Sequence, residues 1–254
     1  MRTIATLVIL LLSWRADAGT VTAITVTGRD AWVYTPAGYA AGRSYPLLVC
    51  FDGAEYKDPA GVGVPAILDA LIAAKRLPPM IAVFVGQTAA RNVELSNNAT
   101  FLAYVTDKLL PAVRARWSAT SDPRQTAACG TSAGGLASAF AAFRRPDVFG
   151  NVLSQSGAFW LGPTRDSTDY EWLTHQYATA PRRAVRFVLQ IGRDETHPTQ
   201  SGASKLDVNR RLRAALERAG YEVHYREVPN GHDETSLRAS LGDGLIELFG
   251  LSSP

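Results

Sequence analysis

Short, continuous apolar runs alternate with helix-like segments along most of the 254-residue chain. Runs of this kind are typical of strands buried on both faces of a parallel sheet. They are "YPLLVCF", "MIAVFVG", "QTAAC", "GNVLSQS" and "AVRFVLQIG". Strands and helices that take turns over such a length predict βαβ units and one doubly covered sheet. We therefore expect an α/β fold with a mostly parallel central sheet and helices on both faces.

Two regions depart from this pattern. Near the start, "TVTAITV" and "AWVYTPAGY" alternate apolar with polar residues, which predicts a pair of antiparallel strands. Further along, residues 161–183 lack a clean period and are long for a connection, so a lid over a site is one interpretation.

The N-terminus has the pattern of a targeting segment. Arg2 precedes an apolar stretch of about a dozen residues, and "ADA" then places Ala16 and Ala18 before a cleavage position. About 20 apolar residues are needed to span a bilayer, so a membrane helix is not favoured. We expect residues 1–18 to be a signal peptide and residues 19–254 to be a single exported domain, secreted or periplasmic, without stable membrane insertion. A buried first helix or an uncleaved anchor is the alternative.

Charge and residue spacing argue against a nucleic-acid partner and against a metal site. The net charge of +3 is spread along the chain without a run of Lys or Arg, which argues against a nucleic-acid partner. Cys50 and Cys129 lie in apolar strand-like runs and are expected to be buried thiols, although export leaves a disulfide open. Metal-ligand spacing of Cys, His and carboxylates is absent from the sequence, so we expect no metal and no cofactor.

"GTSAG", residues 130–134, stands between the predicted strand "QTAAC" and a predicted helix. A strand-to-helix turn of this kind presents a serine hydroxyl at the carboxyl end of the sheet. Glycine at positions 130 and 134 is expected because side chains there would collide across the turn. Ser132 is therefore a candidate nucleophile, but the five residues alone would also fit a loop of small residues. A nucleophile also needs a base, an acid and oxyanion donors.

Each of these partners has a candidate in the order nucleophile, acid, histidine. His232, in "VPNGHDE", follows the last predicted strand and is the candidate base. The acid should follow the preceding strand, in "VLQIGRDET", where Asp194 and Glu195 are adjacent. The usual spacing favours Glu195, with Asp194 as the alternative, and the acid would hold the imidazole in one tautomer. The backbone N–H groups of Ala133 and of Ala54, in "FDGAEY", are the expected oxyanion donors.

Together these motifs resemble a known family. "FDGAEY", "RNVELSNNATF", "DKLLPAV", "GTSAGGL", "FGNVLSQSGAFW" and "NGHD" occur in this order from about residue 45 onward. In that order they are similar to the enterochelin-esterase-like branch of the esterase D family of α/β-hydrolases. The resemblance implies an α/β-hydrolase fold and a serine hydrolase that cleaves cyclic trilactone siderophores or their iron complexes. Wider relatives deacylate xylan, release ferulate or transfer acyl groups.

The resemblance also implies roles for individual residues. Ser132 and His232 match the nucleophile and the base, and Glu195 matches an acidic position. Arg91 matches an arginine expected to contact an anionic or catecholate substrate, and Trp160 is expected to form an apolar wall or, alternatively, to be a core aromatic.

Three further positions belong to the same motifs. Glu94 and Asn98 are expected to fix their loop by hydrogen bonds. The family's second tryptophan is Leu161 here, a departure that weakens the case for an aromatic substrate.

The sequence therefore predicts an exported serine carboxylester hydrolase that acts on a small-molecule ester through an acyl-enzyme. A cell-wall polysaccharide deacylase of the feruloyl or acetylxylan type is the first alternative. A non-catalytic binding protein on the same scaffold and an acyltransferase are weaker alternatives, the former because every triad member has a candidate.

Overall fold

The computed structural model of this protein describes residues 18–229 and 231–251. The predicted signal peptide thus lies outside the described residues, except for Ala18. Within the described residues, no helix is long and apolar enough to cross a membrane.

A mixed sheet forms the centre of the described chain. Its strands are β1 (Thr20–Val26), β2 (Arg29–Thr35), β3 (Leu47–Cys50), β4 (Ile81–Val85), β5 (Thr126–Thr131), β6 (Asn151–Gln155), β7 (Arg186–Gly192) and β8 (Glu222–Val228). Their order across the sheet is β1-β2-β4-β3-β5-β6-β7-β8. β2 pairs antiparallel with β1 and β4, and the other neighbours are parallel, as the sequence predicted.

Helices cover both faces of the sheet. They are α1 (Gly53–Lys57), α2 (Val64–Ala73), α3 (Arg91–Glu94), α4 (Ala99–Tyr104), α5 (Leu110–Arg114), α6 (Ala133–Arg144), α7 (Trp172–Thr179), α8 (Lys205–Arg218) and α9 (Glu234–Phe249). On one face, apolar side chains of α2 and α9 pack against β3, β4 and β5. On the other face, α4 to α8 pack against the alternate side chains of the same strands. This is the doubly covered sheet that the alternating pattern predicted.

Two segments refine the sequence-based expectations. The alternation of strands and helices predicts a helix between β4 and β5, and in the structure a π-helical segment, Val105–Leu109, divides this helix and directly precedes α5. Pro111 near the start of α5 cannot donate a backbone hydrogen bond, so the helix adjusts its pitch ahead of it. Within residues 161–183, the part forming α7 buries Leu173 and Tyr177 in the core, so this part is packed structure instead of a lid.

Polar residues that follow five of the strands lie at the same edge of the sheet. Asp52 follows β3, Ser132 follows β5, Ser156 follows β6, Glu195 comes after β7 and His232 comes after β8. The carboxyl ends of parallel strands meet at one edge, which is where open α/β sheets bind ligands. The topology therefore gathers residues that are far apart in the chain.

Candidate active site

Ser132 lies on a strained turn between β5 and α6. Its backbone has φ 54° and ψ −116°, a region that residues other than glycine rarely adopt. The Ser132 N–H donates to the Gln155 carbonyl at 3.0 Å, and its own carbonyl accepts from Ala158 at 2.9 Å. A Cβ on Gly130 would lie 2.5 Å from the Gly134 backbone, so the turn tolerates only glycine there. The surrounding backbone thus holds the serine in its unusual conformation.

Glu195 and His232 are in direct contact. His232 Nδ1 lies 3.0 Å from Glu195 Oε2, and the Glu195 side chain is only 4% exposed. Oε1 of the same carboxyl accepts from the Gly192 N–H at 3.1 Å and from the Ser156 hydroxyl. Asp194 is exposed and makes no such contact with the imidazole among the described residues. Of the two adjacent carboxylates, the structure brings Glu195 to the histidine.

Electrostatics favour an ionised Glu195. Burial by itself would raise the pKa of this carboxyl, but the hydrogen bonds from His232 and Ser156, with the charge of Lys205, bring its pKa below the ordinary value. Lys205 Nζ lies 3.5 Å from Oε2, the same oxygen that faces His232. An ionised carboxylate is the acceptor needed to hold Nδ1–H and leave Nε2 free as a base.

Ser132 and His232 line the same cavity, which has a volume of about 710 Å³. In the described part of the chain the Ser132 hydroxyl has no hydrogen bond to the imidazole, so the two groups would have to approach during catalysis, as is common for ligand-free sites. His232 also borders a second cavity of about 470 Å³, lined by Trp160, Lys205 and Gln200. The histidine thus lines two spaces that a substrate could enter.

The two predicted oxyanion donors lie at helix starts. Ala133 is the first residue of α6, and Ala54 is the second residue of α1. N–H groups in the first turn of a helix have no acceptor within that helix and can therefore bind a ligand oxygen. A Cβ on Gly53 would lie 2.4 Å from the backbone of Phe84, so glycine lets this segment pack closely on β4.

Arg91 is engaged with another residue of the protein. Its Nε donates to Asp52 Oδ1 at 2.6 Å, its Nη2 pairs with Oδ2, and its Nη1 donates to Asn92 at 3.2 Å. Asp52 is buried with φ 56° and accepts a further hydrogen bond from Gln87 at 2.7 Å. The guanidinium is on the cavity wall, but its first partner is Asp52, and the predicted contact with substrate stays a prediction.

Trp160 forms part of the wall of the second cavity. Lys205 Nζ lies 5.6 Å from the centre of its ring, and the indole N–H donates to Gln200 at 3.3 Å. Trp160 is half-buried, whereas the neighbouring Leu161 is buried in the core. The ring thus borders the second cavity and also packs against the core, and its contact with a substrate stays a prediction.

The remaining sequence candidates have structural contacts. Glu94 pairs with Arg29 across the fold, and Asn98 caps α4 by accepting from the Phe101 N–H at 2.9 Å. Cys50 and Cys129 are opposite one another on β3 and β5 as free, buried thiols. Among the residues described, no group of three or more His, Cys, Asp or Glu could hold a metal ion.

Two residues that contact Glu195, Ser156 and Lys205, were not predicted from the sequence. Ser156 ends the predicted strand "GNVLSQS", which is next to β5 in the sheet, a signal that could have identified it as a neighbour of the acid. Lys205 begins α8 and has no signal in the sequence, because its contact with Glu195 depends on how that helix packs.

A family model described as "Putative esterase" matches residues 24–248. The chain belongs to this family. Membership confirms the predicted family, and it agrees with the prediction of a carboxylic ester hydrolase.

Individual members of the family extend the comparison. The iron(III) enterobactin esterase of Dickeya dadantii (strain 3937) is 33% identical over 226 residues, which are 85% of this chain and 50% of that protein. The crystal structure of the Shigella flexneri enterobactin esterase in the presence of enterobactin has a TM-score of 0.77 at 29% identity, covering 91% of this chain and 58% of that one. The chain spans about half the length of the curated enterobactin esterases it matches.

A ferulic acid esterase has the same fold. Its structure has a TM-score of 0.77 at 18% identity and covers 92% of this chain and 99% of that one. With the enterobactin esterase structures, this likeness confirms the predicted α/β-hydrolase fold.

Proposed function

We propose that this protein is a serine carboxylester hydrolase. The hydrogen bond between His232 Nδ1 and the buried Glu195, beside a serine on a strained strand-to-helix turn, carries the proposal. These three groups have the roles that a Ser-His-acid triad requires, namely nucleophile, general base and orienting carboxylate. Family membership supports the same class of chemistry.

The reaction would proceed through an acyl-enzyme. Ser132 Oγ attacks the ester carbonyl carbon while His232 Nε2 takes the hydroxyl proton, which gives a tetrahedral oxyanion that Ala54 and Ala133 N–H groups stabilise. Collapse breaks the bond to the alcohol oxygen, which leaves with the proton from His232. A water molecule then gives its proton to His232 and attacks the acyl carbon, and the acid product leaves as Ser132 regains its proton.

For the substrate we propose a cyclic trilactone ester of the kind found in siderophores. The enterobactin esterases among the relatives support this class. The half-buried Trp160 and the nearby Lys205 would offer an aromatic and cationic wall to an aromatic acyl group. A feruloyl ester is the second candidate, favoured by the near-complete superposition on a ferulic acid esterase of similar length.

Export is part of the proposal and depends on the N-terminal segment alone. The positive Arg2, the short apolar stretch and the small residues at 16 and 18 support it.

The first experiment compares Ser132→Ala with the wild-type protein on a p-nitrophenyl ester. We expect turnover to fall by at least about 10⁴-fold with an unchanged circular dichroism spectrum, because the nucleophile is lost while the fold is kept. A fluorophosphonate probe should label the wild type and leave the variant unlabelled. Turnover retained by a folded Ser132→Ala protein would refute the mechanism. The substrate class is then decided by comparing kcat/KM for a catecholate trilactone and a feruloylated sugar.

A further inference from the structure

A tyrosine hydroxyl that belongs to neither the triad nor the cavity wall lies fully buried beneath the site. Tyr56, on α1, has no exposed surface. Its hydroxyl lies 2.7 Å from Thr131 Oγ1 and donates to Gln155 Oε1 at 3.1 Å. Since the phenol has one proton and directs it to Gln155, the Thr131 hydroxyl donates to the phenol oxygen. Burial raises the pKa of Tyr56 well above its ordinary value, so the proton is kept at every working pH.

The residues joined by this hydroxyl are the neighbours of the proposed oxyanion donors. Tyr56 is two residues after Ala54 in the same short helix, and Thr131 is two residues before Ala133 across the nucleophile turn. The third partner, Gln155, accepts the Ser132 N–H through its backbone carbonyl at 3.0 Å. One hydroxyl group therefore connects the two segments whose N–H groups must converge on a single oxygen.

The same chain of hydrogen bonds continues to the histidine side of the site. The Gln155 side-chain amide lies 2.9 Å from both the Leu237 carbonyl and the Ser240 hydroxyl of α9. This helix begins two residues after His232. A buried network of this kind fixes the relative positions of its elements, because breaking one bond leaves polar groups without partners.

We propose that Tyr56 is a positioning residue that sets the separation between the Ala54 and Ala133 N–H groups by bridging Thr131 and Gln155. The inference rests on the proposed function, because it assumes that these two N–H groups form the oxyanion hole. Oxyanion donors stabilise the transition state only when they lie at hydrogen-bond distance from the developing charge. A small shift of α1 relative to the nucleophile turn would therefore reduce turnover more than substrate binding.

The test compares Tyr56→Phe with Tyr177→Phe. Tyr177 is also fully buried and donates its hydroxyl to a backbone carbonyl, that of Ala139 at 2.7 Å, but this contact lies between α7 and α6 away from the site. Each variant thus loses one buried hydroxyl. For Tyr56→Phe we expect kcat on a p-nitrophenyl ester to fall about 10-fold, part of the 10²–10³-fold lost when a donor is removed, with KM within about 2-fold. Tyr177→Phe should leave kcat unchanged.

The affinity for a transition-state analogue distinguishes a positioning role from a purely structural one, because loss of a purely structural contact would leave its Ki unchanged. An alkyl trifluoromethyl ketone forms a bond between Ser132 Oγ and its carbonyl carbon, and its oxygen becomes an oxyanion held by the same donors. Its Ki should rise by the same factor as kcat falls in Tyr56→Phe and should stay constant in Tyr177→Phe. Thr131→Val, which removes the partner hydroxyl, should lower kcat and raise Ki by a similar factor. The effects of Thr131→Val and Tyr56→Phe should not be additive in the double variant. This second variant keeps the test valid if Tyr56→Phe fails to fold.

The outcomes separate this inference from the proposed function. Equal kcat values for folded Tyr56→Phe and Tyr177→Phe, or for wild type and Thr131→Val, would overturn the positioning role while Ser132→Ala remains inactive. A change in KM alone, or a constant Ki, would also overturn it. Turnover that persists in Ser132→Ala would overturn the proposed function, and this inference with it.

Discussion

The Arg91–Asp52 ion pair allows a structural role to be separated from a substrate-binding role. The Asp52 side chain is 2% exposed, and its carboxylate accepts two hydrogen bonds from Arg91 and one from Gln87. In Arg91→Met, this carboxylate would remain buried with the Gln87 amide alone. Breaking a buried pair by removing one partner costs about 3–5 kcal/mol. The Arg91 side chain is 31% exposed, so water would reach part of the site. We therefore expect Arg91→Met to lower the free energy of unfolding by about 2 kcal/mol.

The loss in the free energy of unfolding should be measurable, and a second substitution should recover part of it. About 2 kcal/mol corresponds to a fall in Tm of about 4–8 °C for a domain of this size. Replacing the stranded carboxylate as well, in Asp52→Asn with Arg91→Met, removes the buried charge and should recover at least half of the loss. Differential scanning calorimetry and urea unfolding of the wild type, both single variants and the double variant would give the coupling energy.

Activity provides the second arm of this experiment. The Asp52 carbonyl accepts from the Glu55 and Tyr56 N–H groups, so a shift of Asp52 should move the first turn of α1, which includes Ala54. We therefore expect Arg91→Met to lower kcat/KM for a neutral and an anionic p-nitrophenyl ester by the same factor. Unchanged stability with a selective loss on the anionic ester would refute this reasoning and would favour the substrate contact predicted from the sequence.

Two further predictions concern other carboxylates that line the two cavities, namely Glu195 and Asp194 in the second cavity and Glu55 in the cavity of Ser132. Glu195→Gln should lower kcat about 10³-fold, whereas Asp194→Asn, at the exposed neighbour, should change it less than about 3-fold, and the reverse result would reassign the acid. Burial, with the charges of Asp52 and Glu234, raises the pKa of Glu55, so its charge destabilises the fold as pH rises through that raised value. Glu55→Gln should raise Tm on the order of 1 °C at pH 7 and give no gain at a pH of about 3, well below the ordinary pKa of the carboxyl, where it is protonated in both states. An equal gain at both pH values would contradict this electrostatic origin.

The sheet and its helices could be predicted closely because their signals are local. Strands such as β3 and β4 are continuous apolar runs, and β8 alternates, so the sequence around each contains its own evidence. The division of the helix before Pro111 was harder, because a proline indicates an irregularity without specifying which turn adjusts. The helix α7 was missed since its period is weak and its burial depends on tertiary packing.

By itself, the sequence determined the α/β architecture, the family and the order of Ser132, an acid and His232 along the chain. These follow from short-range patterns and from the sequence of strands, which are local properties. The tertiary structure decided which of the two adjacent carboxylates faces the imidazole, that Arg91 pairs with Asp52, and that the Tyr56 hydroxyl bridges Thr131 and Gln155. These contacts join residues up to 99 positions apart. They depend on strand register and helix packing, which no local pattern specifies.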